Sequence, residues 1–246
     1  MMRQKSYDLS VRCALGLALL LSLTAATVPA RQQKKAAADA KEQAEARKQA
    51  EKAAKVFRQI MSVPDKAIPQ ELLQNAEAVA VFPDVIKAGV LLVGGRGGRG
   101  VISRRIRGGW SAPAFFKIGG GSFGPQIGAS STDFVLLFMN EAGVKGLLDD
   151  KLELGGEVSV AAGPFGRATG ASTNATLDAG ILTYSRSKGV FVGAELKGVV
   201  IDPDNKRNEA VYGLSARDLL TGIEVKRPIP SAVRSLTLQL ARYSRK

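Results

Sequence analysis

The sequence predicts an α+β domain: a curled or barrel-like antiparallel β-sheet carrying a long N-terminal helix and short C-terminal helices. Three observations carry that expectation. Glycine is abundant, 27 in 246 residues, and aromatic residues are few, a balance that favours strands joined by many turns. Short apolar runs punctuated by Gly, Pro, Asn and Asp recur from Ala78 to Ile201. Helix-forming stretches lie at both ends of that region, and no repeat of solenoid or propeller spacing is evident. The length suits one main domain that buries its core without needing disulfides.

Residues Met1 to Ala30 read as a secretory signal peptide. A basic start (Arg3, Lys5, Arg12) precedes the apolar run Cys13 to Leu23 and the small-residue end Val28-Pro29-Ala30, and the run is short for a bilayer span. Cleavage there would place the protein in the periplasm or cell envelope and remove Cys13, the single cysteine. Arg31 to Ser62 is dominated by Ala, Lys, Glu, Gln and Arg, so one helix of about 45 Å is expected, with Pro64 as its stop. Ala46, Ala50, Ala53, Phe57 and Ile60 fall at three- and four-residue spacing. That stripe is strongly apolar only in the last two turns, so the first half is expected to fray or project. The chain thus divides into a signal peptide at 1–30, a charged helical leader at 31–52 and a main domain at 53–246.

In the main domain Ile68 to Ala76 reads as a short helix with Pro69 in its first turn, and Ala78 to Phe82 as a strand ended by Pro83-Asp84. Strands at Lys87–Gly94 and Gly100–Arg107 flank the segment GGRGGRG, whose missing Cβ atoms suit a turn or a close backbone approach. Ser111–Gly119 and Ser122–Ser130 read as further strands. Thr132 to Met139, TDFVLLFM, is the expected central strand, buried on both faces. Asn140 caps a short helix carried to Leu148. Alternation from Leu152 to Ala162 predicts a strand, and Ala175–Tyr184 with Val190–Ile201 a hairpin, followed by a turn at Asp202-Pro203-Asp204-Asn205. Ser215 to Asp218 opens a small helix with a capping-box start, ended at Gly222. Val233, Leu236 and Leu240 mark a terminal docking helix behind Pro230 with a basic outer side.

Charge narrows the function. The formal net charge is +13, from 35 basic and 22 acidic residues, and between Val85 and Thr132 there are seven Lys or Arg residues and no acidic one. An anionic partner follows. Export argues against nucleic acid, and a single RGG-like segment between apolar strands does not resemble a flexible RNA-binding tail. Gly95 to Gly100 satisfies G-x-G-x-x-G, but Val101-Ile102-Ser103 continues it as a strand where a dinucleotide fingerprint needs a helix. With no histidine and no cysteine after Cys13, neither a Ser-His-Asp or Cys-His system nor the usual zinc ligands can be assembled. The loop at Asp202 lacks the glycine and distal glutamate of a calcium-binding EF-hand. No catalytic residue, metal site or cofactor is assigned.

The segments IPQELLQNAEAVAVFPDVIKAG, GGRGGRGV, GGGSFGPQIGASSTDFVLLFMNEAGVKGLL, AAGPFGR and YSRSKGVFVGAELKGVVIDPDNKRNEAVYG, in that order, resemble the SYLF-domain family of Ysc-type lipid-binding and actin-binding modules. The resemblance runs from about Ala53 to Tyr243. It implies binding of phosphoinositides or other anionic lipids through basic residues and an N-terminal amphipathic segment, with actin bundling in some eukaryotic members. The positions it points to here are Lys52, Lys55 and Phe57 near the end of the long helix, and Lys87, Arg96, Arg186 and Lys188 in the motifs. Each of the last four reads either as a lipid contact or as a fixed structural charge. The expected signal peptide and the lack of an accessory domain make this an exported, bacterial-type member, for which actin is an unexpected partner.

The expected function is therefore non-enzymatic binding of anionic lipid at a membrane surface. The alternative is an envelope structural protein that docks a protein partner through its N-terminal helix. A third reading is a carrier holding a hydrophobic ligand inside the curled sheet.

Overall fold

The computed structural model describes residues 30–63, 67–90, 93–123, 128–149, 151–156, 158–166, 179–187, 190–193, 196 and 198–245. The expected signal peptide lies outside the described residues except for Ala30. Residues Asp39–Lys246 form one compact unit, and Met1–Ala38, described only as helix from Ala30, form another.

Helix α1 spans Ala30–Met61, as the run of helix formers predicts. Its stripe Ala46, Ala50, Ala53, Phe57 and Ile60 is fully buried. Contrary to expectation, its first half is anchored from Glu42 onward: Gln43 Nε2 donates to the Ala210 carbonyl at 2.9 Å, and Arg207 donates to Glu42 and Gln49. Helix α2 (Gln70–Asn75) follows behind Pro69.

Ten strands come next: β1 (Ala78–Val90), β2 (Val93–Ile106), β3 (Gly109–Trp110), β4 (Ala114–Phe123), β5 (Gly128–Phe138), β6 (Leu152–Leu154), β7 (Val160–Ala162), β8 (Ile181–Ser187), β9 (Val190–Gly193) and β10 (Val199–Pro203). They order as β6-β10-β4-β2-β1-β5-β8-β7, with β3 on β2 and β9 on β8, and a Leu154–Val158 bridge brings the sheet close to a closed barrel. Every ladder is antiparallel except β7–β8. The apolar run in β5 sits between β1 and β8, buried on both faces from Asp133 to Phe138 as expected.

At the glycine-rich centre the expected strand end fails, and of the two readings of GGRGGRG the turn fails while close approach holds. Pro83-Asp84 does not end β1. It forms a bulge, with Asp84 at φ 51°, the one non-glycine residue at positive φ among those described. Nor is GGRGGRG a turn: it lies wholly inside β2. The glycines serve close approach instead, because a Cβ on Gly100 would meet Phe82 Cδ1 and the Val81 carbonyl at 2.4 Å, and one on Gly98 the Val85 side chain at 2.9 Å.

Helix α3 (Glu141–Leu148) is capped by Asn140, whose Oδ1 accepts from the Gly143 N–H at 3.1 Å. The alternating run after it breaks into β6 and β7. Val190–Ile201 is not one strand: β9 pairs β8, whereas β10 pairs β4 and β6. Past the end of β10 at Pro203 the segment expected as a turn leads, with Asp204 as cap, into helix α4 (Asn205–Tyr212), which the sequence reading did not assign. Helix α5 (Ala216–Leu220) has the predicted Ser215–Asp218 capping box. Helix α6 (Ser231–Tyr243) buries Val233, Leu236 and Leu240, sets Tyr243 edge-on to Phe57, and is tied down by Trp110 Nε1 donating to Ser244 Oγ at 3.0 Å.

Candidate functional site

Directly opposed residues of antiparallel strands share a face. Lys87 on β1 stands opposite Arg96 on β2 and Ser130 on β5, and two residues along, Val85 stands opposite Thr132. The same face continues to Phe134 on β5, opposite Ser185 on β8, and thence to Ser187. Together with Leu196 these residues line a pocket of about 230 Å³. One wall is cationic (Lys87, Arg96), one carries hydroxyls (Thr132, Ser185, Ser187), and Val85, Phe134 and Leu196 make the remainder apolar. Among the described lining residues there is no carboxylate.

The two cations are uncompensated among the described residues. Neither has an ion pair among the described residues, and the buried Nε of Arg96 has no hydrogen-bond partner there. Sequence explains why. Arg96 has Gly94 and Gly98 as its same-face neighbours on β2 and is opposed on β4 by Gly120, so none of these positions offers a side chain to cover its guanidinium. The pocket can accept an anion of phosphate type from Arg96 and Lys87, with hydroxyls for a polar substituent and an apolar wall for a carbon skeleton.

Three other cations of the basic run are engaged, whereas Arg104, whose buried Nε is also without a partner among the described residues, and Arg107 are not. Arg99, three residues after Arg96, points to the opposite face and meets Asp204 at 3.3 Å, joined by Lys117 at 3.5 Å; the Asp204 carboxylate is buried. Arg105 donates to the Leu73 and Ala76 carbonyls at 2.7 and 3.0 Å, closing the end of α2, and lies 4.4 Å over the Trp110 ring. Burial pushes its guanidinium below the ordinary arginine value, with Glu77 opposing.

Of the seven positions drawn from the family resemblance, the structure brings together Lys87 and Arg96. Arg186 faces the other way: its Nε and Nη2 donate to Asp133 Oδ2 at 2.8 and 2.6 Å, and Nη1 donates to Gln59 on α1. It is a structural charge that fastens α1 to the sheet. Lys52 and Lys55 stand exposed on α1, Lys52 paired with Asp84 at 2.6 Å. Phe57 is wholly buried, so in this state it is a core residue and no membrane-inserting one. Lys188 lies outside the described residues. Sequence reasoning missed Val85, Thr132, Phe134, Ser185, Ser187 and Leu196. The period-two spacing of Thr132 and Phe134, and of Ser185 and Ser187, marks a shared face only once register is known.

A family model described as "Ysc84: Las17-binding protein actin regulator" matches residues 119–243, half of the chain. The chain belongs to the Ysc84 family. Among its Ysc84-type relatives, LAS seventeen-binding protein 3 of Saccharomyces cerevisiae is 37% identical over 164 residues, covering 64% of this chain and 35% of that protein. SH3 domain-containing YSC84-like protein 1 of Xenopus laevis is 36% identical over 187 residues, covering 72% of this chain and 55% of that protein. The chain thus spans a third to about a half of the relatives it matches. Within the Ysc84 match lie Thr132, Phe134, Ser185, Ser187 and Leu196, while Val85, Lys87 and Arg96 precede it. Among the described residues no helix is long and apolar enough to cross a membrane, a statement that does not bear on strands, and no three His, Cys, Asp or Glu side chains cluster as metal ligands would.

Proposed function

We propose that this Ysc84-family chain binds anionic lipid at a membrane surface, without chemical turnover, by taking a phosphate-bearing headgroup into the Lys87–Arg96 pocket. The observation that carries the reading is the pair itself. Two cations on adjacent strands, unpaired among the described residues, sit on one wall of a pocket that also offers hydroxyls and apolar surface. An anion relieves their mutual repulsion, and Arg96 presents a fork suited to two phosphate oxygens. The net charge of +13 draws the chain to an anionic leaflet. The membrane would be one of the cell envelope if residues 1–30 act as the export signal their pattern predicts. The apolar stripe of α1 is used up inside the domain, so neither lipid insertion nor partner docking through that stripe enters the reading.

The test is co-sedimentation of the full-length chain with phosphatidylglycerol or phosphatidylcholine vesicles over a salt series. Binding to the anionic vesicles alone, weakening as salt rises, is expected. Each cation at such a surface contributes about 1 kcal/mol, so K87Q/R96Q should bind roughly 30-fold more weakly. K52Q/K55Q, altered on α1, should change binding less. Equal binding by wild type and K87Q/R96Q would overturn the pocket reading. A parallel arm with actin filaments addresses the regulator named in the family description: pelleting with filaments and not with vesicles would replace lipid by actin.

A further inference from the structure

We infer that strand β9 is the element through which the protein enters the bilayer, with Val190 and Val192 seated in the interface beside the headgroup held by Lys87 and Arg96. The inference rests on the lipid reading above and adds an orientation to it. Val190 stands opposite Ser187 and Val192 opposite Ser185, so both valines share the face on which those two serines line the pocket. They remain 51% and 50% exposed. Among the described residues β9 pairs only with β8 and so stands as an edge of the described sheet. An edge carrying two exposed β-branched residues, with neither proline nor charge among its four residues Val190–Gly193, lacks the usual protection against association.

Of the other large exposed apolar residues, Val63 follows α1, Ile86 lies on the face opposite to its neighbour Lys87, Ile223 follows α5, and Leu238 lies on α6. Val190 and Val192 are the ones that share the face of the uncompensated cations. A bilayer interface presents the matching order: phosphates outermost, then glycerol and the first methylenes within about 5–10 Å. Two valines one residue apart span about 7 Å along a strand, within that depth. Charge complementarity selects this occupant, since the described lining of the adjoining pocket holds two cations and no carboxylate.

The test uses the full-length chain with Cys13→Ser, which removes the single native thiol, and one new cysteine carrying an environment-sensitive NBD fluorophore. With phosphatidylglycerol vesicles, the label at Val192→Cys should shift to shorter wavelength and be quenched by lipids bearing a nitroxide on the acyl chain. The label at Leu238→Cys, 66% exposed in the parent, should do neither. V190S/V192S should keep the wild-type circular dichroism and partition roughly tenfold more weakly, because two half-exposed valines together withdraw about one aliphatic side chain from water. Vesicles that pellet the protein while the Val192 label keeps its aqueous emission would overturn the orientation and leave lipid binding standing. Absence of pelleting would overturn both. Shielding of the Val192 label without vesicles, growing with protein concentration, would assign the edge to a second copy of the chain and overturn the inference.

Discussion

Replacing Asp133 with alanine should loosen α1 from the sheet. The buried Asp133 carboxylate accepts from the Asp84 N–H at 2.9 Å and from Arg186 Nε and Nη2 at 2.8 and 2.6 Å, and Arg186 in turn donates to Gln59 on α1. Alanine leaves the Asp84 N–H without its acceptor at the left-handed bulge and takes from a guanidinium, 21% exposed, its carboxylate partner. Removing one member of a buried pair costs about 3–5 kcal/mol, and an orphaned backbone donor about 1–3 kcal/mol. Arg186 keeps Gln59 and some water, so the lower end applies: about 3 kcal/mol. Urea unfolding followed by circular dichroism measures it. Asp133→Asn, which keeps an oxygen for the Asp84 N–H, should lose about half as much. Arg186→Met combined with Asp133→Ala should cost less than the sum of the two by about 1–2 kcal/mol, because the uncompensated charge goes too. A loss under about 1 kcal/mol for Asp133→Ala, or strict additivity in the cycle, would refute the anchoring role.

Gly100→Ala should cost about 2–3 kcal/mol in thermal unfolding, since the new methyl would lie 2.4 Å from the Val81 carbonyl and Phe82 ring; a variant as stable as wild type would show that this close approach is slack. Glu42 is held below the 4.5 of an unperturbed glutamate, first by its hydrogen bond to Lys206 and then by Arg207, against the opposing effect of burial. A depressed carboxyl stabilises the fold above 4.5 and loses that contribution as pH falls through the lower folded value. Denaturant midpoints of wild type and Glu42→Gln should therefore differ at neutral pH and converge under acid; parallel pH profiles would count against the linkage.

Local signals were legible in the sequence, and the fold kept them. The three-and-four spacing from Ala46 to Ile60, the unbroken run in β5, the Asn140 cap and the Ser215–Asp218 box each depend on neighbours within a few turns, and each formed as expected. Long-range polar pairing was not legible. Arg207 reaches Glu42 and Gln49 across most of the chain, so the part of the leader from Glu42 on is held down, and α4, which begins at the end of the expected turn, had no signal in the local pattern. Asn208 adds to this by bonding both the N–H and the carbonyl of Phe115, at 2.7 and 3.0 Å. None of these partners is marked by spacing, because no period connects residues so far apart.

The candidate site was hidden for a different reason: charge was counted along the chain, whereas the fold sorts it by face. Arg96 and Arg99 look like one basic cluster in GGRGGRG, yet an odd separation in a strand sends them to opposite sides. Arg99 and Lys117 neutralise Asp204, Arg105 closes a helix, Arg186 holds Asp133, Arg104 and Arg107 lie away from the pocket lining, and Lys87 and Arg96 line it. The sorting can be tested without changing composition. Arg96→Gly with Gly97→Arg moves the guanidinium one residue and so to the other face, beside Ile86, at constant net charge; a Cβ at Gly97 has room, its nearest neighbour being the Ile118 carbonyl at 4.0 Å. If a placed cation matters, affinity for anionic vesicles should fall roughly fivefold, the worth of about 1 kcal/mol, with the salt dependence reduced. If the swapped chain binds as tightly as wild type, attraction comes from total charge, and the pocket has no part in choosing the lipid.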